Sequence, residues 1–238
     1  MRLNAVEKDL KTLYDNWEVG NEIESNTKYS AMFRMGFPTE YINSDTPLLM
    51  YVGQECLNCT ADKTQSWVRE YQNVQRTKMR IKNDWFDNGT NRSPFWNFYR
   101  RLGDMNFNVL WNNLDKFHPT DKQRLSYEDC IKFNAAYGKE NLSVLQREIE
   151  LLKPSVIVFV IGNGKYTASL ASAFSIDEEK LKQYEPCTEK YVTEISGVLG
   201  LKNTLAFWTY HPAYLQRSKN YHNALAEIKN GVLNIQKW

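Results

Sequence analysis

Polar side chains with three different functional groups follow three short apolar runs of the sequence. They are the carboxylate of Glu55 after run 48–52, the amides of Asn112 and Asn113 after run 107–111, and the imidazole of His211 after run 205–210. These groups offer a negative charge, a paired donor and acceptor, and a titratable hydrogen-bonding ring. Ligands of open parallel sheets bind outside the carboxyl ends of the strands. If the runs are parallel strands of one sheet, the three groups converge in one crevice.

Four apolar runs and the helical patterns between them are the elements that must position these side chains. The continuous apolar runs are 48–52, 107–111, 156–161 and 205–210. Apolar residues with helical spacing occur over 142–152, 166–174 and 221–235. A continuous apolar run is typical of a strand buried on both faces, and strands that alternate with helices favour a parallel sheet. We expect a three-layer α/β/α domain with a central four-stranded parallel sheet.

The N-terminal segment carries one apolar stripe at spacings of three and four residues. Its members are Leu3, Val6, Leu10, Leu13, Tyr14 and Trp17. This pattern predicts a helix over residues 1–19 that ends near Gly20 and extends a single domain spanning 1–238. Segment 60–92 is polar and predicts a helix followed by a loop, whereas the charged segment 177–193 is expected to be peripheral.

The composition restricts the class of protein. Hydrophobic residues make up 42% and charged residues 24% of the chain, which excludes a disordered protein. No apolar run approaches the ~18 residues of a membrane span, and the charged start lacks the pattern of a signal peptide. We expect a cytoplasmic monomer that does not enter a membrane. The net charge is only +2, so any polyanion must be bound by a local basic face.

The cysteines raise the question of a metal or iron–sulfur site. They are Cys56, Cys59, Cys130 and Cys187. A Cys-x-x-Cys pair with two scattered partners is a weak signal, because a second close pair is missing and the three histidines form no ligand-spaced cluster. We expect reduced thiols, no metal and no redox cofactor.

The strand-end motifs, taken in order, resemble those of the uracil-DNA glycosylase superfamily. The matching stretches are Gly53-Gln54-Glu55, Asn113 with Lys116, residues 152–158, and His211-Pro212-Ala213-Tyr214-Leu215-Gln216-Arg217. The last of these is especially similar to the branch found in thermophiles and many bacteria. The resemblance covers residues 47–217 and implies the uracil-DNA glycosylase fold.

The sequence departs from that family at three places. Glu55 stands where the best-known branch has the shorter Asp, and Cys56 and Leu57 stand where that branch has Pro and a thymine-excluding Tyr. Phe117 stands where the iron–sulfur branch has a cysteine. These differences leave the identity of the excised base undetermined. They also leave open a second interpretation, a nucleic-acid or nucleotide-binding protein that has kept the fold and lost catalysis.

The resemblance implies a monofunctional DNA glycosylase that hydrolyses the N-glycosidic bond of uracil, or of a related deaminated base, flipped out of DNA. Glu55 and His211 are then the catalytic residues, at the sugar and at the base. The base-binding set is Gly53, Gln54, Asn113 (with Asn112 as its rival) and the stacking ring of Phe95. The DNA-binding set begins with Tyr214 and Leu215 as the wedge, the side chains that insert into the base stack when the base is flipped out. Arg217 and Lys219 would contact phosphates, and Arg100 and Arg101 are further candidates for this role.

Overall fold

One five-stranded sheet organises the chain in the computed structural model, which describes residues 4–55, 65–77, 93–121 and 124–235. The strands are β1 (Leu48–Glu55), β2 (Asn108–Asp115), β3 (Val156–Phe159), β4 (Val192–Glu194) and β5 (Leu205–Thr209), in the spatial order β2-β1-β3-β5-β4. Neighbouring pairs among β1, β2, β3 and β5 are parallel. The expected parallel sheet of four strands is therefore confirmed as the centre of the fold.

Ten α-helices flank this sheet in the described part of the chain. They are α1 (Ala5–Asp15), α2 (Glu18–Glu24), α3 (Gln65–Thr77), α4 (Pro94–Gly103), α5 (Tyr127–Asn134), α6 (Val144–Leu152), α7 (Lys165–Ala173), α8 (Glu178–Lys182), α9 (Pro212–Arg217) and α10 (Tyr221–Ile235). A short 3₁₀ helix covers Thr39–Tyr41. None of the helices in these described ranges is long and apolar enough to cross a membrane.

The expected count of four strands is wrong by one, because β4 pairs antiparallel with β5 at the edge of the sheet. It lies at the end of the charged segment 177–193, where no long apolar run marks a strand. A three-residue strand is selected by the open edge of β5, with Val192 opposite Thr209, and not by its own hydrophobicity. Pattern reading therefore had no signal for it.

The N-terminal stripe forms two helices and not the single expected helix. Asn4 caps α1 by accepting a hydrogen bond from the backbone N–H of Glu7, at 2.9 Å. The helix is interrupted at Trp17, between α1 and α2. The buried ring of Trp17 lies so close to Gly20 that a Cβ atom on Gly20 would be 2.2 Å from a ring carbon. Gly20 lies inside α2 and does not end a helix. A glycine is required at this position because a larger residue would not fit under the indole.

The segment after α2 runs beside the chain that leaves β2. Backbone hydrogen bonds join Ser30 N to the oxygen of His118 at 2.7 Å and Phe33 N to the oxygen of Lys116 at 2.8 Å. β2 is an end strand of the sheet. The hydrogen bonds from Ser30 and Phe33 therefore cover the residues that directly follow this edge strand. The N-terminal residues are therefore packed into the fold.

Candidate functional site

The ends of β1 and β2 carry the first two groups of the predicted site. The two strands are paired in register, with Gly53 opposite Asn113 and Glu55 opposite Asp115. Both strands extend beyond the apolar runs of the sequence. Glu55 and Asn113 therefore lie within the last residues of their strands and not in the loops that follow. The parallel pairing fixes the positions of the side chains more firmly than a loop does.

Asn113, the predicted base reader, and its rival Asn112 have different surroundings. The Asn112 amide donates to Glu148 at 2.8 Å and its oxygen accepts from Lys116 at 2.5 Å, so the side chain is used within the protein. The Asn113 oxygen accepts from the indole N–H of Trp111 at 3.2 Å. Its Nδ2 is buried without a hydrogen-bond partner among the described residues. An unpaired buried donor is costly, so this one would gain stability from a ligand that brings an acceptor to it.

Gly53 allows the ring of Phe95 to approach Asn113. A Cβ at Gly53 would lie 2.8 Å from the Asn113 oxygen and 3.0 Å from a ring carbon of Phe95. Phe95 is the second residue of α4 and also packs against Tyr51, with ring centroids 4.7 Å apart. A half-buried aromatic face therefore lies beside the unpaired amide.

His211 follows β5 and reaches the ring of Phe95 as the N-cap of α9. Its ring is stacked on Phe95, with centroids 5.7 Å apart and planes 18° apart. Its Nδ1 accepts a hydrogen bond from Ala213 N at 3.2 Å, so the neutral ring carries its proton on Nε2. Burial lowers the pKa of His211, and the charge of Arg217 lowers it further. The imidazole is thus a neutral donor at neutral pH.

Glu55 is turned toward the start of α7. Its Oε1 accepts from the hydroxyl of Tyr166 at 2.9 Å and lies 3.5 Å from the ammonium of Lys165. Its Oε2 is buried and has no hydrogen-bond partner in the described part of the chain. Burial, and next the charge of Glu55, raise the pKa of Tyr166, so its hydroxyl stays protonated. The carboxylate is therefore held through one oxygen, and the other keeps its capacity to accept a hydrogen bond.

Asp115, the partner of Glu55 in register, is a fully buried carboxyl that the sequence reading missed. It accepts from the Asn134 amide at 2.5 Å. Burial raises its pKa to about 7, and the charge of Glu55 adds to the rise. Asp115 was missed because hydrophobic patterning does not reveal which residues of two strands face each other. Lys165 and Tyr166 follow run 156–161, so the same strand-end rule could have found them.

Gln54 does not present its side-chain amide to the site. Its Nε2 donates to the backbone oxygen of Ile161 at 2.8 Å, which ties the end of β1 to the chain after β3. The prediction that Gln54 binds the base is therefore not supported by its side chain, because the structure uses that donor internally.

The predicted wedge is divided between a buried and an exposed residue. Leu215 is 0% exposed, since α9 turns its side chain into the core, so this conformation does not present it to DNA and its insertion stays a prediction. Tyr214 is 37% exposed and packs on Tyr210 with ring centroids 4.5 Å apart. Arg217 and Lys219 are also exposed. The structure therefore offers Tyr214 in place of Leu215.

A cleft of about 580 Å³ lies between α4 and the junction of α9 and α10. Among its lining residues are Arg100, Arg101, Gln216, Lys219 and His222. Arg100 donates to the Asn97 side chain at 2.5 Å, and Arg101 lies 3.4 Å from Asp104. The cleft brings Lys219 together with Arg100 and Arg101, three of the four basic residues that the sequence suggested for phosphates.

The cysteines and possible metal sites can be described only in part. Cys56 and Cys59 lie outside the described residues, so the prediction that they bind no metal stays a prediction. Cys130 is buried and Cys187 is exposed, and both are free thiols. Within the described ranges, no group of three or more His, Cys, Asp or Glu residues is placed to hold a metal ion.

Comparison with known protein families gives a match over most of the chain. The family model described as the uracil DNA glycosylase superfamily matches residues 60–230, which is more than half of the chain. No curated protein matches the sequence. The matched region contains Phe95, Asn113 and His211 and begins after Glu55.

Proposed function

Because the chain belongs to the uracil DNA glycosylase superfamily, we propose that it hydrolyses the N-glycosidic bond of uracil or of a related deaminated base in DNA. The observation that carries this proposal is the buried Nδ2 of Asn113, which has no partner in the described part of the chain and lies beside the stacked rings of Phe95 and His211. A flipped base needs this combination of an edge-reading amide and an aromatic surface.

Base recognition in this proposal depends on Asn113. Its Nδ2 donates to a carbonyl of the base, and its Oδ1 accepts from the ring N–H beside that carbonyl, as amides do with base edges. The aromatic face of Phe95 stacks on the base. A base without this acceptor and donor pair leaves the buried amide unpaired, so the site discriminates against it.

Bond cleavage uses the two groups at opposite ends of the breaking bond. As the bond between C1′ and the base nitrogen breaks, positive charge grows on the sugar and negative charge on the base. Glu55 faces the sugar, and its unpaired Oε2 orients the water whose oxygen bonds to C1′. The Nε2–H of His211 donates to the base anion, a kind of contact worth ~2.7 to 4 kcal/mol. The proton lost by the water ends on the released base, through Glu55 and solvent.

The DNA side of the proposal assigns Tyr214 as the side chain that fills the space left by the flipped base. Arg217 and Lys219, exposed beside it, contact phosphates on the same strand. Flipping costs a few kcal/mol of unstacking, and these contacts offset it.

The proposal is tested with oligonucleotides that contain uracil, hypoxanthine or xanthine, as single strands and as duplexes, with the free base measured. We expect the wild type to release at least one of these bases. Asn113→Ala is expected to lower kcat/KM by about 5- to 150-fold, the equivalent of 1–3 kcal/mol of base reading.

The matched control for that variant is Asn108→Ala, which changes the same residue type at the opposite end of β2, where the amide donates to Ser44. Asn108→Ala is expected to leave kcat/KM nearly unchanged. If the wild type binds these oligonucleotides but releases no base from any of them, the hydrolase proposal is wrong and the non-catalytic binding protein replaces it.

A further inference from the structure

A buried chain of hydrogen bonds connects α1 with the base-reading residue. The hydroxyl of Tyr14 donates to Oε1 of Glu148 at 2.6 Å, and Lys116 lies 2.7 Å from the same oxygen. The Oε2 of Glu148 accepts from Asn112 at 2.8 Å and from Lys116 at 2.9 Å. The Asn112 oxygen accepts from the backbone N–H of Asn113 at 2.8 Å. Four elements, α1, α6, β2 and the chain after β2, meet in this network.

The network is complete only when Tyr14 takes part. Tyr14, Glu148 and Lys116 are almost fully buried, and a buried ion pair is stable only where further hydrogen bonds satisfy its remaining lone pairs. Each carboxylate oxygen of Glu148 accepts from two donors, and Tyr14 is one of the two donors to Oε1. The Tyr14 oxygen also accepts from Met35 N at 3.0 Å, which fixes the direction of its hydroxyl.

The network acts on Asn113 through the backbone. β2 is an end strand of the sheet, so within the described ranges one of its sides has no neighbouring strand to fix it. The Asn112 side chain binds the Asn113 N–H, and it is itself held by Lys116 and Glu148. A shift of Glu148 therefore moves Asn112 and changes where the Asn113 amide points. Displacements of 1 Å at a reacting or reading group can change rates about 100-fold.

We propose that Tyr14, Glu148 and Lys116 are positioning residues for base recognition, and that α1 is therefore part of the recognition machinery although it precedes the matched residues 60–230. This inference rests on the proposed function, because the base is what Asn113 would read. No sequence motif announces it, since Tyr14 and Glu148 are 134 positions apart.

The test compares Tyr14→Phe with Tyr99→Phe in the full chain. Each variant removes one buried hydroxyl, and the Tyr99 hydroxyl donates at 2.7 Å to the backbone oxygen of Val109 in the same strand β2, away from the network. Their melting temperatures are measured first, and Glu148→Gln is added as a second perturbation that keeps the shape of the side chain. Two readouts follow: the backbone amide resonance of Asn113 by NMR, and the ratio of kcat/KM on the best-cleaved base to kcat/KM on the next base that is measurably cleaved.

We expect Tyr14→Phe and Glu148→Gln to shift the Asn113 resonance and to lower base discrimination by about tenfold. Tyr99→Phe is expected to do neither at a similar loss of stability. Equal effects of Tyr14→Phe and Tyr99→Phe on both readouts would overturn the inference, and so would a shifted resonance with unchanged discrimination.

The resonance readout separates this inference from the proposed function. If the wild type cleaves no base, the proposed function fails, and the NMR comparison alone decides whether the network positions Asn113. A shift in Tyr14→Phe and not in Tyr99→Phe then supports the positioning role, and no shift overturns it.

Discussion

His211 shows what the structure adds to a two-residue motif. The sequence predicted an imidazole after a strand, and the hydrogen bond from Ala213 N to Nδ1 now assigns the tautomer that can donate from Nε2. The sequence could not provide this, because the tautomer depends on where a neighbouring N–H points. The same applies to Asn113: its spacing from Lys116 favoured it over Asn112, and the contacts of each amide now separate the two.

The pKa of His211 provides a prediction at this scale. Burial and then the charge of Arg217 lower it from its usual value near 6.5, so Arg217→Gln should raise it toward that value. As the pH is lowered, the variant should then lose activity at a higher pH than the wild type does. The reason is that protonation of Nδ1 breaks its hydrogen bond with Ala213 N. NMR titration of the ring measures this, with Lys219→Gln as the control. An unchanged His211 titration in Arg217→Gln would contradict the assignment.

Asp115 predicts a pH dependence of stability. Its folded pKa of about 7 lies above the unfolded value of 3.8, so its ionisation is disfavoured by folding. This penalty is absent below about pH 4, grows as the pH rises to about 7 and is constant above it, on the order of 4 kcal/mol in full. Asp115→Asn removes the penalty, so the difference in unfolding free energy between variant and wild type should increase from pH 4 to 7. Urea unfolding across this range measures it, and a constant difference would contradict the account.

At the scale of elements, apolar runs predicted the four parallel strands because buried strands need continuous hydrophobicity. They did not predict where β1 and β2 end, since Glu55 and Asp115 are paired by backbone hydrogen bonds that hydrophobicity does not report. They also missed β4, which depends on the edge of β5. Helix α9 shows the same limit. The motif placed Leu215 in a DNA-facing loop, whereas a six-residue helix directs it into the core.

The assignment of Tyr214 as the wedge predicts a difference between two substrates. Tyr214→Ala should lower kcat/KM on duplex DNA more than on single strands, because single strands need less unstacking. Tyr127→Ala, which removes an exposed ring from α5, serves as the control. Equal losses on duplex and single-stranded substrates would argue against the wedge. Leu215→Ala is expected to act on stability instead, by about 2–5 kcal/mol, as for other buried leucines.

At the scale of the whole molecule, the family and the α/β fold were predictable because the motifs occur in order at strand ends. The role of residues 4–37 was not, because the contacts that join them to α6, α3 and the end of β2 link distant parts of the chain. Glu7 on α1 forms a buried ion pair with Arg69 on α3, with a distance of 2.5 Å between Oε2 and the guanidinium. The cytoplasmic location, the monomeric state and the absence of metal at Cys56 and Cys59 stay predictions.

The most direct measurement of the central claim is the release of free base from a deaminated-base oligonucleotide by the wild type, compared with Glu55→Gln and His211→Ala. Each variant removes an interaction that is stronger in the transition state than in the ground state. The account predicts that kcat falls by about 100-fold or more in each variant, while binding of an uncleavable DNA analogue barely changes. Full turnover in both variants on every base that the wild type releases would contradict the account.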